Sequence, residues 1–332
     1  MILHPSVLAL FVSSLLISLM VLYSAVYGVQ ILRNWDLSSG SEQQLALERK
    51  TYLISTIVSY FLAFQLVSLF LFIYTADSIC NLFVGAMCAV GTLTVNGYGY
   101  PTLLLKIVNF VLAGLWLILN HADSQGYDYP LIRKKYLFLL LMAPLILAEA
   151  VVQGAFFLGL KPDIITSCCG SLFSPTSRGI ATEIANAPPL PMLVIYYGSA
   201  AVTAVAGVLY LLKGRGGYLF AVLSGLNFLV AMVAVISVIS LYIYQMPSHH
   251  CPFCILQKEY HFVGYPLYIA ILVAGVSGLG VGMLLPFRAV ASLRGMIPRL
   301  TKRLTLAALI AIVVSTAVAT WPVLFTSFSL RG

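Results

Sequence analysis

The 332-residue chain is 61% hydrophobic and 8% charged, with a mean hydropathy of +1.01. Soluble domains carry about 25% charged residues, so these proportions exclude an ordinary globular protein and point to a polytopic membrane protein. The net charge of +8 is no nucleic-acid signal, because the Lys and Arg residues are scattered in short loops between apolar runs, the pattern that orients membrane helices.

A bilayer core takes about 20 apolar residues per helix. Eight such runs are predicted, at 6-32, 51-75, 102-121, 136-160, 191-213, 218-245, 264-286 and 304-327. The expected fold is all-α, a single transmembrane helical domain over residues 1-332. The first run far exceeds the ~7–15 residues of a secretory signal core and has no Lys or Arg before it, so it is predicted to be a retained span. The loops at 33-50, 122-135, 213-217 and 287-303 hold 13 of the 18 Lys and Arg residues. By the positive-inside rule those loops face the cytoplasm and both termini face outward, N-out and C-out.

All six cysteines then fall on the outer side. Cys80 and Cys88 follow the second span in loop 76-101, Cys168 and Cys169 follow the fourth in loop 161-190, and Cys251 and Cys254 follow the sixth in loop 246-263. The outer face is the oxidising one, where disulfides persist, so thiol or metal chemistry at that face is the expected activity. The expected location is a bacterial or archaeal cytoplasmic membrane, with the cysteines on the periplasmic side.

Loop 76-101 is too apolar for a solvated loop and too rich in Gly for a clean span, which predicts an interfacial helix and a turn at Asn96-Gly97. Along a continuous helix Cys80 and Cys88 would stand ~12 Å apart, too far for a disulfide. Either the segment breaks near Gly85 or each cysteine has another partner. Lys106, five residues into the third run, is expected to snorkel outward.

The fourth span carries the intramembrane acid Glu149, with Gln153 one turn later and Pro144 before it. Ionisable groups in hydrocarbon are costly and turn toward the bundle interior, so Glu149 is a candidate proton site. A protonated, hydrogen-bonded Glu149 is the structural alternative, with Gln65 and Asn227 as candidate partners. In the next loop, adjacent Cys168 and Cys169 are poorly placed to bond each other, which leaves separate disulfide partners or a shared metal. Gly275, Gly278, Gly280 and Gly282 in the seventh span suit close helix packing.

The stretch 248-262 is the most reactive of the C-terminal half. Cys251 and Cys254 have the Cys-x-x-Cys spacing that closes a disulfide or grips a soft metal ion. Pro252 suits the first turn of a helix, which would put Cys251 near the N-cap, Cys254 in the first turn, and Lys258 a turn later, all favouring thiolates. Whether such a helix runs on into the seventh span or stops near Phe262 is left open by Gly264-Tyr265-Pro266. His249, His250 and His261 flank the pair, and two thiols with imidazoles can hold Zn or Cu. A c-type haem is excluded because Ile255, not His, follows Cys254.

The run Cys251-Pro-Phe-Cys-Ile-Leu-Gln-Lys258 is similar to the signature of the DsbB family of membrane disulfide oxidases, with Lys258 where Arg is usual. Cys80-x7-Cys88 resembles the loop pair of the related vitamin K epoxide reductases, although two further spans separate the pairs in this chain. The resemblance implies that Cys251 and Cys254 pass electrons to a membrane quinone which Lys258 helps to bind. It also implies that Cys80 and Cys88 relay electrons from an outer-face thiol protein. Phe253, Tyr260 and Tyr265 would line an aromatic quinone pocket. Two other readings stand beside it. One is a non-catalytic subunit of a larger membrane redox complex, with the cysteines as structural disulfides. The other is an outer-face copper or zinc handling protein that draws on Cys168, Cys169, His249, His250 and His261.

Overall fold

The computed structural model describes residues 3–36, 41–126, 128–161, 183–184, 187–247 and 249–326. Cys168 and Cys169 lie outside the described residues. Eight helices are long and apolar enough to cross a bilayer, and no strand occurs among the described residues. The protein is therefore an all-α integral membrane protein. In chain order the helices are α1 (Pro5–Asn34), α2 (Glu42–Ser78), the short α3 (Ala89–Leu93), α4 (Gly99–Ser124), α5 (Ile132–Leu158) and α6 (Pro189–Lys213). The sixth span is composite: α7 (Gly217–Ala234), a π-turn (Val235–Ile239) and α8 (Ser240–Tyr244). Then come α9 (Gly264–Leu284) and α10 (Ile297–Phe325).

These helices form where hydrocarbon leaves the backbone no partner but itself. Their outward faces remain apolar: Val194 is 72% and Leu212 77% exposed, as lipid-facing positions should be. Helix α2 starts well before the expected residue 51. Gln44 accepts the Asp36 N–H at 3.1 Å and donates to Glu48 at 2.9 Å, so polar side chains carry the helix beyond its apolar run.

The chain divides into two compact units. The first comprises residues 1–75, 93–161 and 286–299, and the second 76–92, 162–285 and 300–332. In the first unit α5 packs on α1 and α4 around Ile17, Val21, Val58, Leu62, Trp116 and Tyr136. Apolar contact gives helices little preference for one another over lipid, so polar bonds fix their register. Ser55 meets the Tyr136 hydroxyl at 3.1 Å, and Asn120 donates to Ser59 at 2.8 Å.

Two buried ion pairs reinforce this unit, and the first overturns an expectation. Lys106 does not snorkel. It is 1% exposed and donates to Glu149 Oε1 and to Ser68 Oγ, both at 2.7 Å. Glu149 Oε2 accepts from Gln65 and Asn109, each at 2.6 Å. Gln65 is thus a partner as expected, whereas Asn227 instead accepts from Ser199 at 2.9 Å. Gln153 donates to Leu10 O and Ser14 Oγ, both at 3.2 Å, and so ties α5 to α1. The second pair joins Lys135 to Asp123 at 2.7 Å, with Asn120 accepting from the same ammonium at 2.9 Å.

In the second unit α7 packs on α6 and α9. Gly275, Gly278 and Gly282 of the seventh span serve close packing, as expected. A Cβ on Gly278 would stand 2.2 Å from Ser224, and one on Gly282 would stand 2.6 Å from Ala221.

Candidate functional site

In the second unit, the segment that follows α2 meets the segment between α8 and α9. The first segment turns through a 3₁₀ helix, Cys80–Leu82, and then reverses at Gly85, whose φ of +86° belongs to the left-handed region that glycine tolerates. The break anticipated near Gly85 is therefore present, and it delivers Cys88 to the start of α3. Asp77 holds the turn: its Oδ1 accepts the Ala89 N–H at 3.2 Å and the Gln257 side-chain amide at 2.8 Å. Thr92 adds a hydroxyl bond to Ala76 O at 2.7 Å.

The Cys-x-x-Cys segment is not the helix start that Pro252 suggested. Cys251 precedes a turn, Cys254–Leu256 is a single 3₁₀ turn, Lys258–Tyr260 is another, and His261 and Phe262 have φ of +53° and +56°. The seventh span begins afresh at Gly264. A three-residue turn has no appreciable macrodipole, so helix-dipole activation of the thiols falls away. Two tyrosines explain the geometry. The Tyr244 hydroxyl donates to Cys251 O and the Tyr268 hydroxyl to Pro252 O, each at 2.5 Å. Carbonyls that an α-helix would pair with its own N–H groups are held from the flanking spans. Gly264 permits the close approach, since a Cβ there would meet Ile255 at 2.8 Å and Leu256 at 2.9 Å.

The result is a cluster of sulfurs. Cys88 and Cys251 Sγ stand in non-bonded contact at 3.6 Å, and with Cys254 they form a trio whose sulfurs all lie within 4.8 Å of one another. Cys88 and Cys251 are fully buried and Cys254 is 8% exposed. Cys80, 5% exposed, directs its thiol toward the Asn81 side-chain oxygen at 3.8 Å.

The flanking residues separate into near and far. Tyr260 packs edge-on against Tyr244 with ring centroids 4.7 Å apart, and His249 does so at 4.4 Å. Burial holds His249 below the ordinary imidazole pKa, against the opposing influence of Cys88. Its Nε2 is buried with no hydrogen-bond partner. Burial likewise raises Tyr260 above the usual phenol value. His250 donates from Nδ1 to Ile236 O at 3.0 Å, using a carbonyl in the π-turn of the sixth span. Phe253 is buried, Tyr265 lies 6.2 Å from the Phe262 ring, and Lys258 and His261 are exposed. Glu149 and Gln153 belong to the first unit's helix contacts.

Sequence reasoning passed over Tyr244, Tyr268, Asp77 and Gln257. Tyr244 and Tyr268 lie near the ends of two spans, where an aromatic residue is ordinary. The Asp77–Gln257 bond spans 180 residues, beyond the reach of any local pattern. Replacing Tyr244 or Tyr268 by Phe keeps the ring and strips the donor from a buried carbonyl. Each variant is expected to lose ~1–3 kcal/mol, checked by thermal unfolding in detergent.

No protein-family model, curated protein or solved structure matches the chain.

Proposed function

We propose that the protein is a membrane thiol–disulfide oxidoreductase that carries electrons from an outer-face dithiol to a membrane quinone. The observation that supports this reading is the 3.6 Å contact of Cys88 with Cys251, with Cys254 in the same trio. Sulfurs so placed exchange disulfides with little movement.

The Cys251–Cys254 disulfide is the oxidised form of the site. A Cys88 thiolate attacks Cys251 Sγ, the Cys251–Cys254 bond breaks, and Cys254 leaves as thiolate. Cys80 then attacks Cys88, releasing Cys251 and closing a Cys80–Cys88 disulfide. A partner dithiol reduces that disulfide and becomes oxidised itself. The Cys251–Cys254 dithiol is re-oxidised by the quinone, which takes two electrons and two protons to become the quinol. Lys258, Phe253, Tyr260 and Tyr265 are the residues proposed to border the quinone.

The test is quinol formation by purified protein supplied with a soluble dithiol and a short-chain quinone. Wild type is expected to turn over, and Cys251→Ser to lose more than ~10³-fold, the scale of removing a nucleophile. Equal rates in the two proteins would refute the reading.

A further inference from the structure

We infer that the reduced trio is also a zinc(II) site, in which Cys88, Cys251 and Cys254 supply three thiolates and the fourth position is left to a ligand from solution. This goes beyond the redox reading and requires only that the three thiols be reduced. Zn–S bonds of ~2.3 Å place the sulfurs of a tetrahedral site ~3.8 Å apart. The trio has one separation of 3.6 Å and none above 4.8 Å, so small shifts gather all three around one ion.

The donors come from two segments 163 residues apart in sequence, each pinned by bonds outside the cluster. Asp77 holds the Cys88 turn and Tyr244 and Tyr268 hold the Cys251 turn, so the sulfurs are positioned by their surroundings. Beside the trio the His249 ring rests on Tyr244, the residue that also holds Cys251, but its nitrogens do not join the group of donor atoms that lie within 4.8 Å of one another. Soft thiolates select zinc or copper(I). Charge decides between them in a buried site. Three thiols bind zinc(II) with release of three protons and leave one net negative charge, whereas copper(I) leaves two.

Zinc and disulfide exclude each other, because forming Cys88–Cys251 or Cys251–Cys254 consumes two ligands. Zinc therefore occupies the site only in its reduced state and blocks exchange while bound.

The experiment uses full-length protein in detergent, reduced with a phosphine and loaded with zinc(II), copper(I) or cobalt(II), then desalted. One zinc per chain is expected to remain. Cys88→Ser, Cys251→Ser and Cys254→Ser should each weaken retention at least 100-fold, whereas Cys80→Ser should match wild type. Cobalt(II) in wild type should show thiolate-to-metal charge transfer with the intensity of three sulfur ligands, a readout independent of whether any variant folds. Loss of zinc from wild type with verified free thiols would overturn the site, as would retention of copper(I) alone or full retention by Cys88→Ser. No quinone enters these measurements, so failure here leaves quinol formation standing, and failure of quinol formation leaves zinc retention standing.

Discussion

Glu149→Gln is expected to destabilise the first unit by ~3–5 kcal/mol, the cost of leaving one member of a buried ion pair without its counter-charge. Lys106 is 1% exposed, its ammonium contacts Glu149 and Ser68, and it lies 5.5 Å from the Phe72 ring centroid, so water cannot take over the lost role. The same substitution leaves Gln65 and Asn109 donating to a neutral amide instead of a carboxylate. Removing both charges should behave differently. Lys106→Met with Glu149→Met trades the pair for apolar groups of similar size, a change that is often neutral. The double variant should recover most of the loss, read as thermal unfolding in detergent. A single variant as stable as wild type would show that Glu149 is not the counter-charge of Lys106.

Cys254→Ser is expected to trap the relay halfway. With no Cys254 thiol to reclaim Cys251, and with Cys80→Ser added so that no thiol opens it from the other side, the Cys88–Cys251 mixed disulfide should accumulate under oxidising conditions and appear as a crosslinked peptide pair by mass spectrometry. Turnover should fall more than ~10³-fold, while Cys88→Ser in the same background should abolish the crosslink. A Cys80–Cys251 crosslink in Cys254→Ser with Cys80 retained would reverse the order of the two loop cysteines. The 3.6 Å contact favours Cys88, because Cys80 is turned toward Asn81.

What could be read from the sequence follows from how far each constraint reaches. The eight spans were legible because hydrocarbon demands long apolar helices, and α9 shows its small-residue face as Gly278 against Ser224. The reactive cysteines were legible by spacing alone. Their geometry was not. Pro252 suggests a helix start to any local rule, yet the tyrosine hydroxyls that override it come from α8 and α9. Lys106 read as a snorkelling residue because it lies near the start of a span, while its partners lie on α2 and α5. Lys135 counted as one of the basic residues that orient the chain, yet it is buried against Asp123. In each case the deciding partner lies on another helix, where hydropathy and spacing carry no information.

The most direct test of the central claim is the redox state of Cys88, Cys251 and Cys254 in native membranes, read by differential alkylation as the quinone pool is switched between oxidised and reduced. The account predicts that a disulfide within the trio forms when the pool is oxidised and opens when the pool is reduced by way of the protein. Three thiols that keep the same state whatever the state of the pool would contradict it.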